Sequence, residues 1–577
     1  MPSARRSILT SLAAASLCLS AHDAACQVPP AAVVLPAQEG LRRQEERTKD
    51  QQQQLTPKAD VLHPSIPVTV WTPLPDESPC FVITDIDFSG KDAWRFRWLQ
   101  GTAQAFVDRC VGVQGLSQIA SVLDAKLIDL GYATTRVSLP QQNLRAGTLT
   151  LILNVGRVSE INMVSASDNA PDKNWGTWWN AFPVGRGDIL NIRDLEQGVE
   201  QMKRLPSQSV TTRIEPGQEP DTSNIVIERQ PMTLGDRVRG GVTLDNSGFQ
   251  ALGHTQLSAY LALDNLLGLN DVFNFSGNIN AEQPDPDHRS LGASASYSIP
   301  WGYNTFSISK SKSRFAQVVQ GTTVQFLSSG RSESTEAKWH YLLLRTASSK
   351  AGIYAALSTR RAVSYLDDVE LIVQRRRTTN LETGLTFKRL LGAGSMEFEL
   401  GYRRGMPWQD AQDDLAEAGS GGLTLRPRIT VLSATFSQPL TLGGRGWQYG
   451  ATLRAQHTRD ATLSVDQFAI GNRSNVRGFD AEGVLLAESG YFLRNEWSTP
   501  TKLIDIDTLA FVGIDLGRVW GPSTANLVGN KLAGAAFGAR GKWQSLQFDL
   551  TVGTPLYKPK SFRSRRWNPY LSLTYAF

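Results

Sequence analysis

The sequence predicts two small α+β domains followed by a sixteen-stranded antiparallel transmembrane β-barrel. From about Arg237 onward, apolar and polar residues alternate with period two, and the polar positions include Asn, Glu and Arg. The chain ends on such a strand: Leu571, Leu573, Tyr575 and Phe577 fall on one face, and Tyr570, Ser572, Thr574 and Ala576 on the other. Termini of soluble domains usually fray into polar residues, whereas a membrane barrel pairs its last strand with its first to close the wall. Ahead of the alternation, residues 80–231 carry two copies of a mixed helix–strand pattern.

Residues 1–26 read as a secretory signal peptide. Arg5 and Arg6 form a basic start and residues 8–19 an apolar stretch; small residues then lead to an expected cut after Cys26, with Ala24 at the −3 position. Asp23 argues against lipidation of Cys26, and a barrel must cross the inner membrane unfolded, so the general export route is expected. Removal of this segment discards Cys18 and Cys26. The remaining pair, Cys80 and Cys110, is expected to form a disulfide in an oxidising compartment, since two thiolates without neighbouring His cannot complete a tetrahedral metal site.

Residues 27–55 contain the charged, Gln-rich stretch 38–55, which has good helix propensity apart from Gly40. It has almost no apolar face, so a helix here belongs in solvent or in a polar cavity. Residues 56–79 include Pro57, Pro64, Pro67, Pro73, Pro75 and Pro79 and read as an extended linker. The first mixed unit, residues 80–156, has strands at 81–88, 134–139 and 148–155 and helices at 93–106 and 116–130. The second, residues 157–231, has strands at 158–164, 209–214 and 224–228 and an amphipathic helix at 192–205. Both are expected to follow the order β-α-α-β-β, burying a small core against one sheet face, with the cysteines pinning the first sheet to the end of the first helix.

Residues 232–577 form the expected barrel. Phe273, Phe275 and Ile279 alternate with Asn274, Ser276, Asn278 and Asn280; Met396, Phe398, Leu400 and Tyr402 oppose Glu397, Glu399 and Arg403. A face of Asn, Glu and Arg lines a watery lumen and is no sandwich core. About sixteen segments of roughly 22 residues fit, an even number as expected for such barrels. A hydrophobic fraction of 41 % and a mean hydropathy of −0.24 exclude a helical membrane protein, which needs apolar runs of roughly 18 residues. The net charge of +5 is mild for 577 residues, and no basic cluster with interleaved aromatics points to nucleic acid.

Leu244-Asp245-Asn246-Ser247-Gly248 and Asp264-Asn265-Leu266-Leu267-Gly268-Leu269-Asn270-Asp271 resemble the first two strands of two-partner secretion transporters. That family (TpsB) includes the exporters of filamentous haemagglutinin and of secreted haemolysins. Its layout of pore helix, linker, two POTRA domains and sixteen-stranded barrel also matches the chain. Asn475-Val476-Arg477-Gly478-Phe479 resembles the family's V-R-G-Y/F loop motif, which folds back into the lumen from between the eleventh and twelfth strands. Phe511-Val512-Gly513-Ile514-Asp515 resembles its partner strand motif F-x-G-x-D. Alternation puts Phe511, Gly513 and Asp515 inward, and the resemblance implies that Asp515 pairs with Arg477. Phe479 stands where many members carry Tyr, so a mechanism that needs that hydroxyl is in doubt.

The resemblance also implies that the helix at 38–55 lies in the pore, where Arg42, Arg43, Glu45, Glu46, Arg47 and Lys49 suit a polar lumen. It further implies that the POTRA pair receives an unfolded secreted partner, for which the sheet edges near 158–164 and 209–214 are candidates. The C-terminal residues Leu571, Leu573, Tyr575 and Phe577 are expected to be read by the barrel-assembly machinery.

No catalysis or cofactor is indicated. His22, His63, His254, His288, His340 and His457 lack metal-ligand spacing, and there is neither a nucleophile elbow nor a phosphate loop. Asp413 and Asp414 fit a solvated outer loop better than a cation site. The expected activity is export of one large β-helical exoprotein. The alternatives are a barrel-assembly insertase of the same superfamily, which usually carries three or five POTRA domains, and a diffusion porin, which needs none.

Overall fold

The computed structural model describes residues 30–55, 59–63, 73–248, 252–282, 285–320, 323–480 and 482–577. The expected signal peptide 1–26 and much of the linker 56–79 lie outside the described residues.

In the first N-terminal domain, Asp85–Ser89 pairs in parallel with Thr148–Asn154, which pairs antiparallel with Arg136–Ser138. Helix Val113–Asp129 lies against this sheet through Ile119, Leu123 and Leu127, a four-residue spacing that keeps one face on the core. The expected helix at 93–106 is instead a single α-turn, Gln100–Ala103, between 3₁₀ pieces Ala93–Leu99 and Gln104–Phe106. Its buried residues Ala93, Phe96 and Leu99 recur every third position, the period of a 3₁₀ helix. Cys80 and Cys110 are bonded, with Cα atoms 5.4 Å apart. Cys110 sits in a short strand, Arg109–Val111, paired with Phe81–Ile83, so the bond joins two strands and not a strand to a helix end.

The second domain has Thr222–Arg229 at the centre of a three-stranded sheet, parallel to Arg157–Ser165 and antiparallel to Val210–Pro216. Helix Ile192–Lys203 starts at Asn191, whose side chain accepts from the Arg193 amide, and buries Leu195, Val199 and Met202. The β-α-α-β-β order fails here: residues 166–191, all described, contain only turns, bends and two isolated bridges. Pro171, Gly176, Pro183, Gly185 and Gly187 break any helix in that stretch.

Sixteen antiparallel strands close the barrel among the described residues, from Val238–Asp245 to Asn568–Ala576. The two-residue strand Val369–Glu370 only folds back on the seventh strand, Ser349–Leu366, which pairs directly with the eighth, Arg376–Leu391. Closure runs from Ser572 opposite Asp245 to Ala576 opposite Gly241. Phe577 extends it through reciprocal backbone bonds with Gly240 of 2.9 and 3.0 Å. In the third strand, Val272–Asn280, the Asn and Ser side chains are buried toward the lumen while Phe275 faces outward. Turns such as Gly302-Tyr303, Gly443-Gly444 and Ile504-Asp505 close one end of the barrel, and the long connections lie at the other. The N-terminal domains join at the short-turn end.

Candidate functional site

The lumen is filled from two directions. Helix Pro30–Leu55 enters it, and its charged face meets side chains that alternation directs inward. Arg47 pairs with Asp245 of the first strand at 2.9 Å, and Glu45 with Arg360 of the seventh at 2.8 Å. Gln44 donates to Asn278 at 3.1 Å and accepts from Ser290, while Arg42 and Glu46 pair along the helix at 2.8 Å. Leu41 finds a small apolar niche with Leu252, Phe315 and Ala362. A Cβ at Gly40 would stand 2.8 Å from the Phe315 ring, so a residue poorly suited to a helix is the one that lets this helix approach the wall. Beside the helix lies a cavity of about 540 Å³ lined by Arg42, Arg43, Asp245, Arg473 and Tyr570, among others.

The second occupant is the connection between the eleventh and twelfth strands, Arg445–His457 and Ser489–Leu503. It is braced by a small hairpin, Phe468–Ile470 against Leu485–Ala487. The Asn475 carboxamide oxygen accepts from the amides of Gly471, Asn472 and Val476 at 2.7 to 3.0 Å, which closes the turn before the tip. Val476 and Phe479 are fully buried in a cluster with Ile470, Phe492, Val519 and Phe562. The Phe479 ring meets Phe562 edge-on at 5.6 Å. Gly478 has φ +108°, a backbone that favours glycine.

The loop tip brings Arg477 to the thirteenth strand, Ile506–Trp520. Its Nε and Nη2 donate to the two carboxylate oxygens of Asp515 at 2.7 and 2.8 Å, and its backbone amide donates to the same carboxylate at 3.0 Å. Nη1 donates to Glu496 of the twelfth strand at 2.6 Å. Glu496 also binds Arg540, which pairs with Asp549 at 2.8 Å and lies 4.0 Å over the Phe511 ring. A Cβ on Gly513 would stand 2.2 Å from Arg477 Nη2, so only a glycine leaves room for the guanidinium.

The last strand holds the same tip: Tyr570 Oη accepts from the Gly478 amide at 3.0 Å and donates to the Phe479 carbonyl at 2.8 Å. Asn568 donates to the Gly478 carbonyl at 2.7 Å. Leu571, Tyr575 and Phe577 of that strand are exposed on the outer face, and Leu573 is half-buried there.

Arg360, Glu496, Arg540, Asp549 and Tyr570 were not singled out from the sequence. Alternation could mark each as inward, but which charges meet depends on register between strands far apart in the chain.

At the short-turn end the second domain packs on the barrel rim. Gln197 and Gln201 donate to the Gly302 carbonyl at 3.2 and 3.1 Å, and Glu200 pairs with Arg345 and Lys350. The linker crosses here, with Asp60 bonded to Lys350 at 3.2 Å and Lys388 at 2.7 Å. Burial acts to raise the Asp60 carboxyl, but these ammonium groups outweigh it and hold it below its ordinary value. Burial also pushes the Asp194 carboxyl up, against the hydrogen bond it accepts from Tyr303.

Residues 221–541 match the haemolysin secretion/activation protein family ShlB/FhaC/HecB, and residues 81–156 and 160–216 match ShlB-type and general POTRA domains. The chain belongs to that family. It is 33 % identical to the outer membrane transporter CdiB-2 of Burkholderia pseudomallei, over 99 % of this chain and 100 % of that one. It is 25 % identical to the hemolysin transporter protein ShlB of Serratia marcescens, over 87 % of this chain and 86 % of that one. Among solved structures, CdiB from Escherichia coli superposes with a TM-score of 0.81 at 28 % identity, covering 94 % of this chain and 99 % of that one. The chain is therefore an outer-membrane transporter of the two-partner secretion type, with its POTRA domains in the periplasm, so the short-turn end of the barrel is the periplasmic end.

Proposed function

We propose that this transporter exports one large exoprotein in unfolded form, and that the partner belongs with those of the CdiB transporters, the contact-dependent toxins. The observation that carries the partner class is the full-length similarity to CdiB-2 at 33 % identity, against 25 % for the haemolysin transporters. Transport and not catalysis is the activity proposed; no cofactor takes part, and no covalent step is assigned to any residue.

In this reading the partner docks on the POTRA domains by adding a strand to the open sheet edge Val210–Pro216, where backbone bonds give affinity with little sequence demand; the opposite edge, Arg157–Ser165, is already bonded at Val158, Met163 and Ser165 by residues 170–172 and 187–188. The pore helix, which is bonded to the first, third, fourth and seventh strands, leaves the lumen. The loop bearing Val476, Arg477, Gly478 and Phe479 then shifts from the wall formed by Phe511, Gly513 and Asp515, and the chain threads outward. Folding of the partner outside makes return unfavourable, because β-helix formation buries apolar surface and satisfies backbone groups. The transporter itself reaches the membrane through the barrel-assembly machinery, which reads the C-terminal strand ending in Phe577.

Co-expression with a large candidate exoprotein of the contact-dependent toxin class tests the reading. Surface delivery of that protein, followed by contact-dependent inhibition of target cells, is the expected result. Lysis of erythrocytes without contact inhibition would move the partner to the haemolysin class, and periplasmic retention would refute export.

A further inference from the structure

The second POTRA domain carries an aromatic segment, Lys173-Asn174-Trp175-Gly176-Thr177-Trp178-Trp179-Asn180, that the transport reading leaves unused. Its backbone is held firmly. The buried Arg229 pairs with Asp172 at 2.6 Å and donates to the carbonyls of Asn174 and Trp175. The barrel turn between the second and third strands holds the other side. Asn265 donates to the Trp175 carbonyl at 3.0 Å, Asn270 donates to the Thr177 carbonyl at 2.7 Å, and the Thr177 amide donates to Gly268 at 3.0 Å. Asn180 donates to the carbonyls of Leu269 and Pro300 at 2.6 and 3.0 Å. The polar groups are thus paired inward, while the rings of Trp175 and Trp179 remain 58 % and 51 % exposed. Trp178 alone turns in, edge-on to Phe182 in the domain core.

The exposed rings lie beside the lipid-facing wall. Trp179 meets Trp301 edge-on at 5.1 Å. Trp301 lies at the periplasmic end of the fourth strand, on the same face as Ile299, which opposes the exposed Phe306 of the fifth. Leu266 and Leu267, in the turn that clamps the segment, are exposed as well. Trp is favoured at membrane–water interfaces because its ring is apolar and its N–H can stay wet, and Trp175 already donates its indole N–H to the Asn265 carbonyl at 3.1 Å. Outer-membrane barrels carry an aromatic girdle at this depth.

We propose that residues 174–180 form a lipid anchor, in which a periplasmic domain extends the barrel's aromatic girdle by placing Trp175 and Trp179, with Leu266, Leu267 and Trp301, in the inner leaflet of the outer membrane. The occupant is phospholipid, because the patch continues a lipid-facing surface and the exposed Lys173 lies beside it to meet headgroup phosphates. The anchor fixes the second POTRA domain in orientation under the pore, independently of which partner is exported.

The test uses the full-length transporter with a single labelled cysteine, the native Cys80–Cys110 pair being bonded. Trp179→Cys, or Leu267→Cys where the first fails to fold, carries an environment-sensitive fluorophore. The protein is reconstituted in vesicles of phosphatidylethanolamine and phosphatidylglycerol containing nitroxide lipid labelled near the headgroup. Labels at 179 and 267 should be quenched as strongly as one at Trp301→Cys, and several-fold more than one at the exposed Trp94→Cys in the first domain. Quenching at 179 and 267 no greater than at 94, with 301 quenched, would overturn the anchor. So would shielding of 179 only when the exoprotein's secretion domain is added, which would make the patch a protein-docking site.

Discussion

Asp515→Asn isolates the charge of the loop contact while keeping its volume. In the native lumen Arg477 and Asp515 are 2 % and 0 % exposed, and three hydrogen bonds of 2.7 to 3.0 Å join them. Asparagine keeps one acceptor, loses the second, and turns an NH₂ group toward a guanidinium. Removing one member of a buried pair costs about 3–5 kcal/mol. The low end applies here, because Arg477 retains Glu496 at 2.6 Å, and Arg477 and Arg540 still face Glu496 and Asp549. At about 1.4 kcal/mol per tenfold, a cost of about 3 kcal/mol shifts loop docking by on the order of 10²-fold. Hydrogen–deuterium exchange of the full-length protein reads this at the Arg477 and Gly478 amides, which are bonded to Asp515 and Tyr570. Their protection should fall by on the order of 10²-fold while strand amides stay protected, and export should drop sharply. Unchanged protection at the tip, or equal loss throughout the barrel, would refute the reasoning.

Deletion of residues 38–55 should leave an inserted barrel with raised single-channel conductance in planar bilayers; unchanged conductance would make the segment a tether and not a plug. Tyr570→Phe removes one donor and leaves the Gly478 amide unpaired, so loop-tip protection should fall by about 1–2 kcal/mol with the barrel intact, again by hydrogen exchange. Cys80→Ser with Cys110→Ser opens a loop of 30 residues and should lower the stability of the first POTRA domain by about 3–4 kcal/mol in denaturant titration, without altering insertion. Deletion of Phe577 removes two closing backbone bonds to Gly240 and should slow barrel insertion, measured by the heat-modifiable band in membranes.

The barrel was legible because alternation is local: each strand shows its own inward and outward face, and Asp515 is marked as inward by Val512 and Ile514 on the opposite side. The loop contact was legible only through the motif, since no local pattern ties residue 477 to residue 515. Glu496, Arg540 and Tyr570 escaped for that reason. The first helix that a β-α-α-β-β order places in the second POTRA domain, by analogy with the first copy, is excluded by the Pro and Gly in 166–191. Its place is taken by a segment whose shape is set by barrel turns, so no reading of that segment alone could supply it.

The register also joins two features that the sequence presents as separate. Asp245 closes the barrel opposite Ser572, and its carboxylate meets Arg47 of the pore helix at 2.9 Å and Arg473 of the inward loop at 3.9 Å. Arg473 in turn lies 5.7 Å over the ring of Tyr570, which holds the loop tip. In the proposed departure of the helix, Asp245 would lose its nearer cation and keep Arg473, so that step would change the charge balance at the loop and at the seam together. Pore helix and loop are thus not independent in the lumen; they share one carboxylate, on the strand where the barrel closes.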